Sequence, residues 1–265
     1  EGDLSRSALF YHLPGLSFRE YLEFEQKLKV TSFSLEEIVD RPVEISLDIL
    51  QYIRPLPLFD AYLKKGYYPF YSDDNEEYYK RIFQIVNTSL ETDIPAVQMI
   101  PYQAMLNIKK LLSLITEMVP FKPNIIKLSQ QIGLSRETLI KYLQYLDKAD
   151  LIKLLYSAKK GISPLNKPEK IYLNNTNVIC ALTASMPNIG NIRETFFYNQ
   201  LQSGYLVRYP EKGDFLVNDH YLFEIGGKNK TGKQIAQKEN TWIAADGIEV
   251  SAGRKIPLWL FGFLY

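Results

Sequence analysis

One stretch of the sequence, residues 124–161, limits the possible folds more than any other: NIIKLSQQIGLSRETLIKYLQYLDKADLIKLLYSAKKG. Its first part has the apolar spacing of two short helices, with Gly133 as a sharp turn between them and Ser135 as the cap of the second. The inward-facing positions are Ile125, Leu128, Ile132, Leu139, Leu143 and Leu146. A strand over 151–156 follows, with a basic tip at 159–161. Helix, glycine turn, helix and β-wing is the order of a winged helix-turn-helix, which this stretch predicts.

The predicted second helix carries polar side chains on the face opposite its leucines. In DNA-binding winged helices that outer face enters the major groove. The candidate nucleic-acid contacts are Arg136, Lys141, Gln144 and Lys148 on this face, with Lys159 and Lys160 at the wing tip. The alternative is a winged helix that packs against protein and leaves its charged face to solvent. Residues 121–170 carry a net charge of +6, whereas the remainder carries −5. The winged helix is therefore the candidate for a polyanionic partner such as DNA.

The segments around the winged helix differ from it in pattern, and together the three predict an α+β protein. Residues 1–95 form a predicted helical region, in which Ser17 and Glu20 make a capping box. Residues 96–165 comprise the winged helix-turn-helix. Residues 166–265 read as an α/β domain in which a helix precedes several strands rich in aromatic and β-branched residues.

Two further apolar features carry structural expectations. The runs at 241–245 and 256–265 are almost continuously apolar, which predicts strands buried on both faces. An aromatic patch in the helical region predicts a packing surface rather than a platform for stacking bases. Its members are Tyr67, Tyr68, Phe70 and Tyr71.

Cysteine content and hydropathy bear on cellular location. The chain has one cysteine, Cys180, so no internal disulfide framework can form, and a reducing, cytoplasmic compartment is expected. No apolar run reaches the length of a membrane span, and the first residues lack the charged and apolar regions of a signal peptide. We therefore expect no membrane partner.

The stretch DFLVNDHYLFEIGGKNKTGKQI, residues 214–235, nearly fits two active-site patterns. The first is a phosphate loop, because residues 227–234 match Gly, four residues, Gly-Lys after a strand. The next position must supply a hydroxyl for Mg²⁺, and here it is Gln234. No second acidic strand follows. We therefore expect this chain neither to bind nor to hydrolyse ATP, and expect no cofactor in it.

The second pattern is the metal site of a nuclease, with a helical Glu, an acid on one strand and Glu-x-Lys on the next. Glu194, Asp214 and Glu224 supply the three acids in this order, and Asp214 and Glu224 would hold Mg²⁺ in an active site. A three-residue turn at 218–220 places Asp214 opposite Glu224 on one face. A two-residue turn places Asp214 opposite Phe223 and separates the acids.

The lysine of this pattern is the point of departure. Its position is Gly226, so Lys228 would have to reach the acids from a loop. Three clustered carboxylates repel one another and need a cation, and we expect Lys228 or Lys230 to provide it. A lysine held on a loop is poorly positioned, and an error of about 1 Å can cost on the order of a hundredfold in rate. We therefore predict that the hairpin has the layout of a nuclease site but cleaves DNA weakly or not at all. The alternative is that these are plain structural charges.

Several stretches jointly resemble the C-terminal two-thirds of a prokaryotic AAA-type ATPase family. They are HLPGLSFREYLEF, YLKKGYYPFY, VNTSLETDIPAV, PFKPNIIKLSQQIGLSRETLIKYLQYLDKADLI, KPEKIYLNNTN, RETFFYNQL and YPEKGDFLVNDHYLFEIGGKNKTGKQI. The resemblance implies lid helices, a winged helix and a terminal domain of the restriction-endonuclease, PD-(D/E)xK, fold. It also implies a nucleotide-binding core, outside this chain, as the place where ATP binds. Glu194, Asp214 and Glu224 match the acidic positions of that fold, and Gly226 departs from the lysine position.

Three functions are consistent with these features. The preferred one is a non-catalytic targeting or regulatory region of an ATPase, which contacts nucleic acid or a partner protein. The second is a Mg²⁺-dependent DNA nuclease that uses Glu194, Asp214, Glu224 and Lys228. The third is a free-standing winged-helix transcription regulator. A metal titration would discriminate the first two, and dimerisation through symmetric helices would favour the third.

Overall fold

The computed structural model describes residues 13–70, 74–118, 122–159, 167–183, 187–232 and 239–265. The fold is α+β, as predicted. The helices are α1 Phe18–Gln26, α2 Leu35–Asp40, α3 Pro42–Leu50, α4 Pro55–Lys65, α5 Asn75–Thr88, α6 Ile94–Gln98, α7 Tyr102–Met118, α8 Ile125–Ile132, α9 Arg136–Lys148, α10 Thr176–Leu182 and α11 Ile189–Gln202. A π-helical turn, Ser89–Asp93, joins α5 to α6. In the described ranges no helix is both long and apolar enough to cross a bilayer.

The described strands form two sheets. They are β1 Ile152–Leu155, β2 Lys170–Leu173, β3 Val207–Arg208, β4 Phe215–Val217, β5 Tyr221–Gly227, β6 Thr241–Asp246 and β7 Lys255–Pro257. β1 and β2 pair antiparallel as a separate ribbon. The other five are ordered β3-β4-β5-β6-β7, antiparallel up to β5 and parallel from β5 to β7.

Local signals set the helix ends where the sequence predicts them. Ser17 accepts the backbone N–H of Glu20, and Glu20 accepts the backbone N–H of Ser17, so the capping box before α1 is confirmed. Gly133 ends α8 in the left-handed conformation, at φ 79°, and Ser135 caps α9 through the N–H of Thr138. These caps fix the turn between the two helices of the winged helix.

The wing is a ribbon whose second strand comes from further along the chain. Ile152 pairs with Leu173, and Leu155 pairs with Lys170. β2 therefore lies beyond the predicted boundary at 165/166, and the ribbon joins the predicted winged helix to the predicted terminal domain. The predicted tip residues Lys160 and Gly161 lie outside the described residues.

Aromatic packing connects the helical region to the five-stranded sheet through one core. The Phe18 ring lies 5.3 Å from Phe59 and 5.8 Å from Phe263, and Phe59 lies 4.7 Å from Phe196 of α11, as centroid distances. The predicted packing role of the aromatic patch is confirmed for Tyr67, Tyr68 and Phe70, which are buried or pack on this core. Tyr71 lies outside the described residues.

The prediction of a strand over 256–265 is wrong beyond Pro257. The chain there forms a 3₁₀ helix, Leu258–Phe263, whose residues are all buried. A continuous apolar run marks burial on every side, and it does not distinguish a strand from a buried helical turn. A Cβ at Gly262 would lie 2.4 Å from Phe18 Cβ, so this turn packs directly onto α1. The predicted buried strand at 241–245 is confirmed as β6.

Candidate functional site

A three-residue turn connects β4 to β5 and aligns the two strand acids. Asn218 and Asp219 have φ values of 51° and 54°, and the N–H of His220 donates to the carbonyl of Val217. Phe215 pairs with Phe223, so one further step in the register places Asp214 across from Glu224. The predicted three-residue turn is confirmed, and the register places Asp214 across from Glu224, as predicted.

A lysine that the sequence analysis missed lies between Asp214 and the helical acid. Lys170 Nζ of β2 is 2.8 Å from Glu194 Oε2 and 3.6 Å from Asp214 Oδ1. Tyr172, two residues along the same strand, donates its hydroxyl to Glu194 Oε2 at 2.8 Å. All three ion-pair side chains are largely buried. Lys170 therefore supplies the positive charge that these two acids need.

The pKa of Lys170 reflects both its burial and its partners. Burial on its own would lower the pKa of this lysine, because it penalises the charged form. The charge and hydrogen bond of Glu194, together with the charge of Asp214, outweigh that penalty and raise the pKa above its usual value. Burial also raises the pKa of Tyr172, and the charge of Glu194 reinforces the rise. The ammonium and the neutral phenol are thus both stabilised as hydrogen-bond donors.

The third acid, Glu224, has a different lysine. Its side chain is 3% exposed, and its Oε1 lies 2.8 Å from Lys230 Nζ. A Cβ at Gly226 would lie 2.7–2.8 Å from Cβ, Cγ and Cδ of Lys230. The missing side chain at 226 therefore gives the stem of Lys230 the space to return over β5. Of the two lysines expected near Glu224, Lys230 makes the ion pair, and Lys228 pairs with no acid among the described residues.

Lys170 pairs with Glu194 and Asp214, and Lys230 pairs with Glu224, and we call the five residues of these two ion-paired groups together the carboxylate cluster. Mg²⁺ binds through free carboxylate oxygens. Asp214 Oδ2 instead accepts the N–H of Ile225, and Asp214 Oδ1 and Glu224 Oε1 face lysines. Glu224 Oε2 is buried without a hydrogen-bond partner in the described part of the chain. No three acidic, histidine or cysteine side chains there are placed to hold a metal. As arranged, the cluster does not fit Mg²⁺.

The loop that resembles a phosphate loop follows β5. Arg193 from α11 crosses over it, since a Cβ at Gly227 would lie 3.3 Å from the guanidinium nitrogens. Arg193 is itself paired with Asp246 at 2.8 Å. An open cleft of about 440 Å³ lies here, with Lys228 on its wall. Gln234, on which the prediction against ATP binding depends, lies outside the described residues.

The outer face of α9 has cations without acidic partners. Arg136, Lys141 and Lys148, which we call the α9 face, are exposed and form no ion pair with any described residue. Lys141 Nζ lies 5.6 Å from the centroid of the Tyr145 ring. Of the other predicted contacts, Gln144 is partly buried, Lys159 is paired with Glu211, and Lys160 lies outside the described ranges.

Helix α6 lies beside the α9 face, which the sequence analysis did not foresee. Val97 and Gln98 of α6 line open grooves together with Lys141, Tyr145 and Lys148 of α9. Further exposed apolar side chains follow Val97 along the chain, namely Met99 and Tyr102.

The last turn of α9 holds a partly buried acid, Asp147. Its Oδ1 accepts the N–H of Leu154 at the start of the wing, at 3.2 Å. Burial raises the pKa of Asp147 to about 6, outweighing the opposing effects of Lys153 and of this hydrogen bond. Lys153 makes its closest ion pair with Asp150, at 2.6 Å. Asp147 therefore lacks a strong ion pair of its own.

Comparisons with known proteins give one family and one relative. The family model described as Domain of unknown function (DUF8612) matches residues 56–188, just over half of the chain. The protein named Uncharacterized protein MJ1637, from Methanocaldococcus jannaschii, is 25% identical over 276 residues. The match covers 96% of this chain and 58% of that protein, so the chain spans less than two-thirds of its relative's length. No solved structure matches the chain.

Proposed function

The chain belongs to the DUF8612 family, and we propose that it is a non-catalytic docking region that contacts nucleic acid through α9. Following the resemblance to AAA-type ATPases, we propose that this contact targets or regulates an ATPase core. The observation that carries the proposal is that Arg136, Lys141 and Lys148 are exposed and pair with no described acid. The cations of the carboxylate cluster, in contrast, are paired.

Phosphate chemistry explains why free surface cations favour a nucleic-acid partner. Each lysine or arginine that neutralises a phosphate releases a condensed counterion, and this release supplies most of non-specific affinity. A cation that is already paired, such as Lys159 with Glu211, must first give up its acid. The α9 face has no such competing partner within the described ranges, so its full charge is available.

The arrangement of the cluster supports the non-catalytic part of the proposal. A metal-dependent nuclease needs carboxylate oxygens on its cation and a lysine aimed at the water or phosphate. Here Lys170 stands against Glu194 and Asp214, where a cation would bind. Lys230 is held by Glu224. Both lysines are ion-paired with acids of the protein, so neither is free to contact a substrate.

Binding measurements with charge reversals test the docking role. The double variant Arg136→Glu/Lys141→Glu should lower affinity for a labelled oligonucleotide by at least about tenfold, because two attractive contacts become repulsive. The matched control is Lys29→Glu/Arg54→Glu, which reverses one lysine and one arginine that are also exposed but lie in the helical region. Equal affinity for the wild type and the α9 variant would refute docking through α9.

Incubation of plasmid DNA with Mg²⁺ or Mn²⁺ tests the second candidate, the nuclease. The Glu224→Gln variant is the control, since it keeps the side-chain volume and removes the charge. We expect no cleavage above the level of this variant. Robust cutting that Glu224→Gln abolishes would replace the non-catalytic proposal with the nuclease. The buried Oε2 of Glu224 is the one feature that favours that outcome, because it has no partner among the described residues.

A further inference from the structure

A cleft of about 440 Å³ lies outside the carboxyl ends of the parallel strands β5 and β6. Gly227, the last residue of β5, pairs with Asp246, the last residue of β6, and both residues line the cleft. Arg193 of α11 and the turn after β5 line it as well. In open α/β sheets, ligands bind in the crevice outside the carboxyl ends of the parallel strands. The cleft therefore lies where this kind of sheet places a ligand.

Arg193 lines this cleft with both terminal nitrogens of its guanidinium unused. Its Nε donates to Asp246 Oδ2 at 2.8 Å, which holds the guanidinium in place. Nη1 and Nη2 donate to no atom of the described residues, and each would lie 3.3 Å from a Cβ at Gly227. The lack of a side chain at Gly227 thus lets the guanidinium lie against the start of the turn. A guanidinium held in this way is a fork that can donate to two oxygens of one anion.

The turn at 227–230 adds further donors. The N–H of Lys230 donates to the carbonyl of Gly227 at 2.9 Å and closes the turn. The N–H groups of Lys228 and Asn229, in the middle of the turn, have no hydrogen-bond partner within the described ranges. The Lys228 side chain is exposed and forms no ion pair with a described acid. Successive backbone N–H groups of a turn, with a cation beside them, favour an anion.

The charge of the cleft suits a dianion. The groups in and beside it carry a net charge of +2, from four cations and two acids, namely Arg193, Lys228, Lys230, Lys255, Asp246 and Glu224. Lys255 lies at its edge, because its Nζ donates to the carbonyl of Lys228 at 2.6 Å. The phosphate of a monoester carries a charge of about −1.5 to −2 at pH 7 and has three acceptor oxygens. We propose that this cleft binds the terminal phosphate of a phosphomonoester, with Arg193 on two oxygens and the turn with Lys228 on the third.

A carboxylate is the main rival ligand. The fork of Arg193 alone would satisfy both oxygens of a carboxylate, and the donors of the turn would then remain unused. A phosphate has the additional oxygen that those donors need, and its second charge matches the net charge of the cleft. Asp246 repels either anion, and its ion pair with Arg193 reduces that repulsion.

The site differs from the phosphate loop that residues 227–234 resemble. It includes Arg193 from another element, and it needs neither a hydroxyl at position 234 nor Mg²⁺. It also shares no residue with the α9 face, so it goes beyond the proposed docking function. Arg136→Glu/Lys141→Glu should therefore leave phosphate binding unchanged, and either proposal can fail without the other.

Titration of the full chain with inorganic phosphate, followed by NMR of the backbone amides, tests the proposal. Ionic strength is held constant with sodium chloride, and Mg²⁺ is left out. The amide signals of Lys228 and Asn229 should shift until the site is saturated. Acetate should bind at least about tenfold more weakly, since it lacks the oxygen that the turn would hold. Shifts no larger with phosphate than with chloride, or acetate binding as tight as phosphate, would overturn the proposal.

Two variants separate a built site from diffuse attraction to cations. Lys228→Gln should weaken phosphate binding by at least about fivefold, because it removes one charge-assisted contact. Its matched control is Lys212→Gln, an exposed lysine outside the cleft that has no ion pair in the described chain. Gly227→Ala keeps every charge but crowds the Arg193 guanidinium, so it should also weaken binding. The amide spectrum shows that each variant is folded. Unchanged affinity in both Lys228→Gln and Gly227→Ala would overturn the site.

Further probes identify the source of the phosphate. Ribose 5-phosphate represents a small ligand, and two short oligonucleotides, one with a 5′-phosphate and one with a 5′-hydroxyl, represent the end of a strand. They are compared in the Arg136→Glu/Lys141→Glu background, so that the α9 face does not contribute. Tighter binding of ribose 5-phosphate would support a small ligand, and tighter binding of the phosphorylated oligonucleotide would support a strand end. Equal shifts with the two oligonucleotides would overturn the monoester, because a phosphodiester would then suffice.

Discussion

The carboxylate cluster contains two cations and the α9 face contains three, but the two regions differ in how those cations are paired. In the cluster, Lys170 and Lys230 each lie 2.8 Å from a glutamate, and the acids are 3–21% exposed. On the α9 face the cations are exposed and have no acid from the described chain. An unpaired buried charge costs several kcal/mol, whereas a hydrated surface charge costs little. The cations of the cluster are therefore engaged in compensating acids within the fold, whereas the α9 face remains available to a partner.

The largest expected effect comes from removing the cation of the cluster. Lys170→Met should lower the free energy of unfolding by about 3 kcal/mol at pH 7, because it leaves two mostly buried carboxylates uncompensated. The pKa of Lys170 is raised, so the contribution of its charge persists below the usual lysine pKa and disappears only as pH rises through the raised value. Urea denaturation measures the loss. Lys159→Met is the control, since its pair with Glu211 is exposed and should contribute less than about 1 kcal/mol. If both variants lost the same free energy of unfolding, the Lys170 ion pairs would contribute no more to stability than the exposed Lys159–Glu211 pair.

The next effect comes from the glycine beneath Lys230. Gly226→Ala should cost about 2 kcal/mol, because the new Cβ pushes the Lys230 stem aside and leaves Glu224 buried without its cation. Gly204→Ala is the control, since a Cβ there meets nothing within 4 Å, and it should change stability by less than about 0.5 kcal/mol. A neutral Gly226→Ala would show that Lys230 does not hold Glu224.

Asp147 combines features of the two regions. It is partly buried, like the acids of the cluster, but it has no close ion pair with a described residue, because Lys153 pairs with Asp150 instead. Its pKa is raised to about 6, so its stabilising contribution is complete below the ordinary aspartate pKa and is lost as pH rises through 6. Asp147→Asn keeps the acceptor for Leu154 and should raise stability at pH 7.5 by about 1–2 kcal/mol. The difference between variant and wild type should shrink between pH 7.5 and 5 in thermal denaturation. A constant difference over that range would exclude titration of Asp147 as the cause.

The smallest effect on stability should come from the α9 face. Arg136→Glu/Lys141→Glu should change the free energy of unfolding by less than about 0.5 kcal/mol, because neither side chain has an acidic partner in the described fold. The same denaturation assay measures it, beside the Lys29→Glu/Arg54→Glu control. A loss as large as that of Lys170→Met would remove the distinction between the two regions.

Sequence reasoning succeeded where the cause is local. The cap at Ser135, the turn at Gly133 and the register between β4 and β5 each depend on a few consecutive residues. The three-residue turn aligned Asp214 with Glu224 because strand side chains alternate with a period of two. Such signals need no knowledge of distant parts of the chain.

The missed features all depend on contacts between distant segments. Lys170 reaches Glu194 only because β2 pairs with β1 and packs beside α11, and no spacing in the sequence encodes that approach. The sequence left Lys228 and Lys230 as alternative cations for the acids. The choice of Lys230 depends on the packing of its stem over Gly226, which only the structure shows. The position of α6 beside α9 follows from the path through the π-helical turn, which has no reliable sequence pattern.

The most direct test of the α9 face measures how its affinity for a single-stranded oligonucleotide depends on salt concentration. Only cations that contact phosphates contribute to that dependence, whereas cations paired with acids inside the fold do not. The logarithm of affinity should fall linearly with the logarithm of salt concentration, by about 0.7 for each neutralised phosphate. Arg136→Gln/Lys141→Gln should flatten that slope by about 1.4, since two contacts are lost. The exposed control Lys29→Gln/Arg54→Gln should leave the slope unchanged. A slope that is the same in the α9 variant as in the wild type would contradict the assignment of the α9 face to nucleic acid.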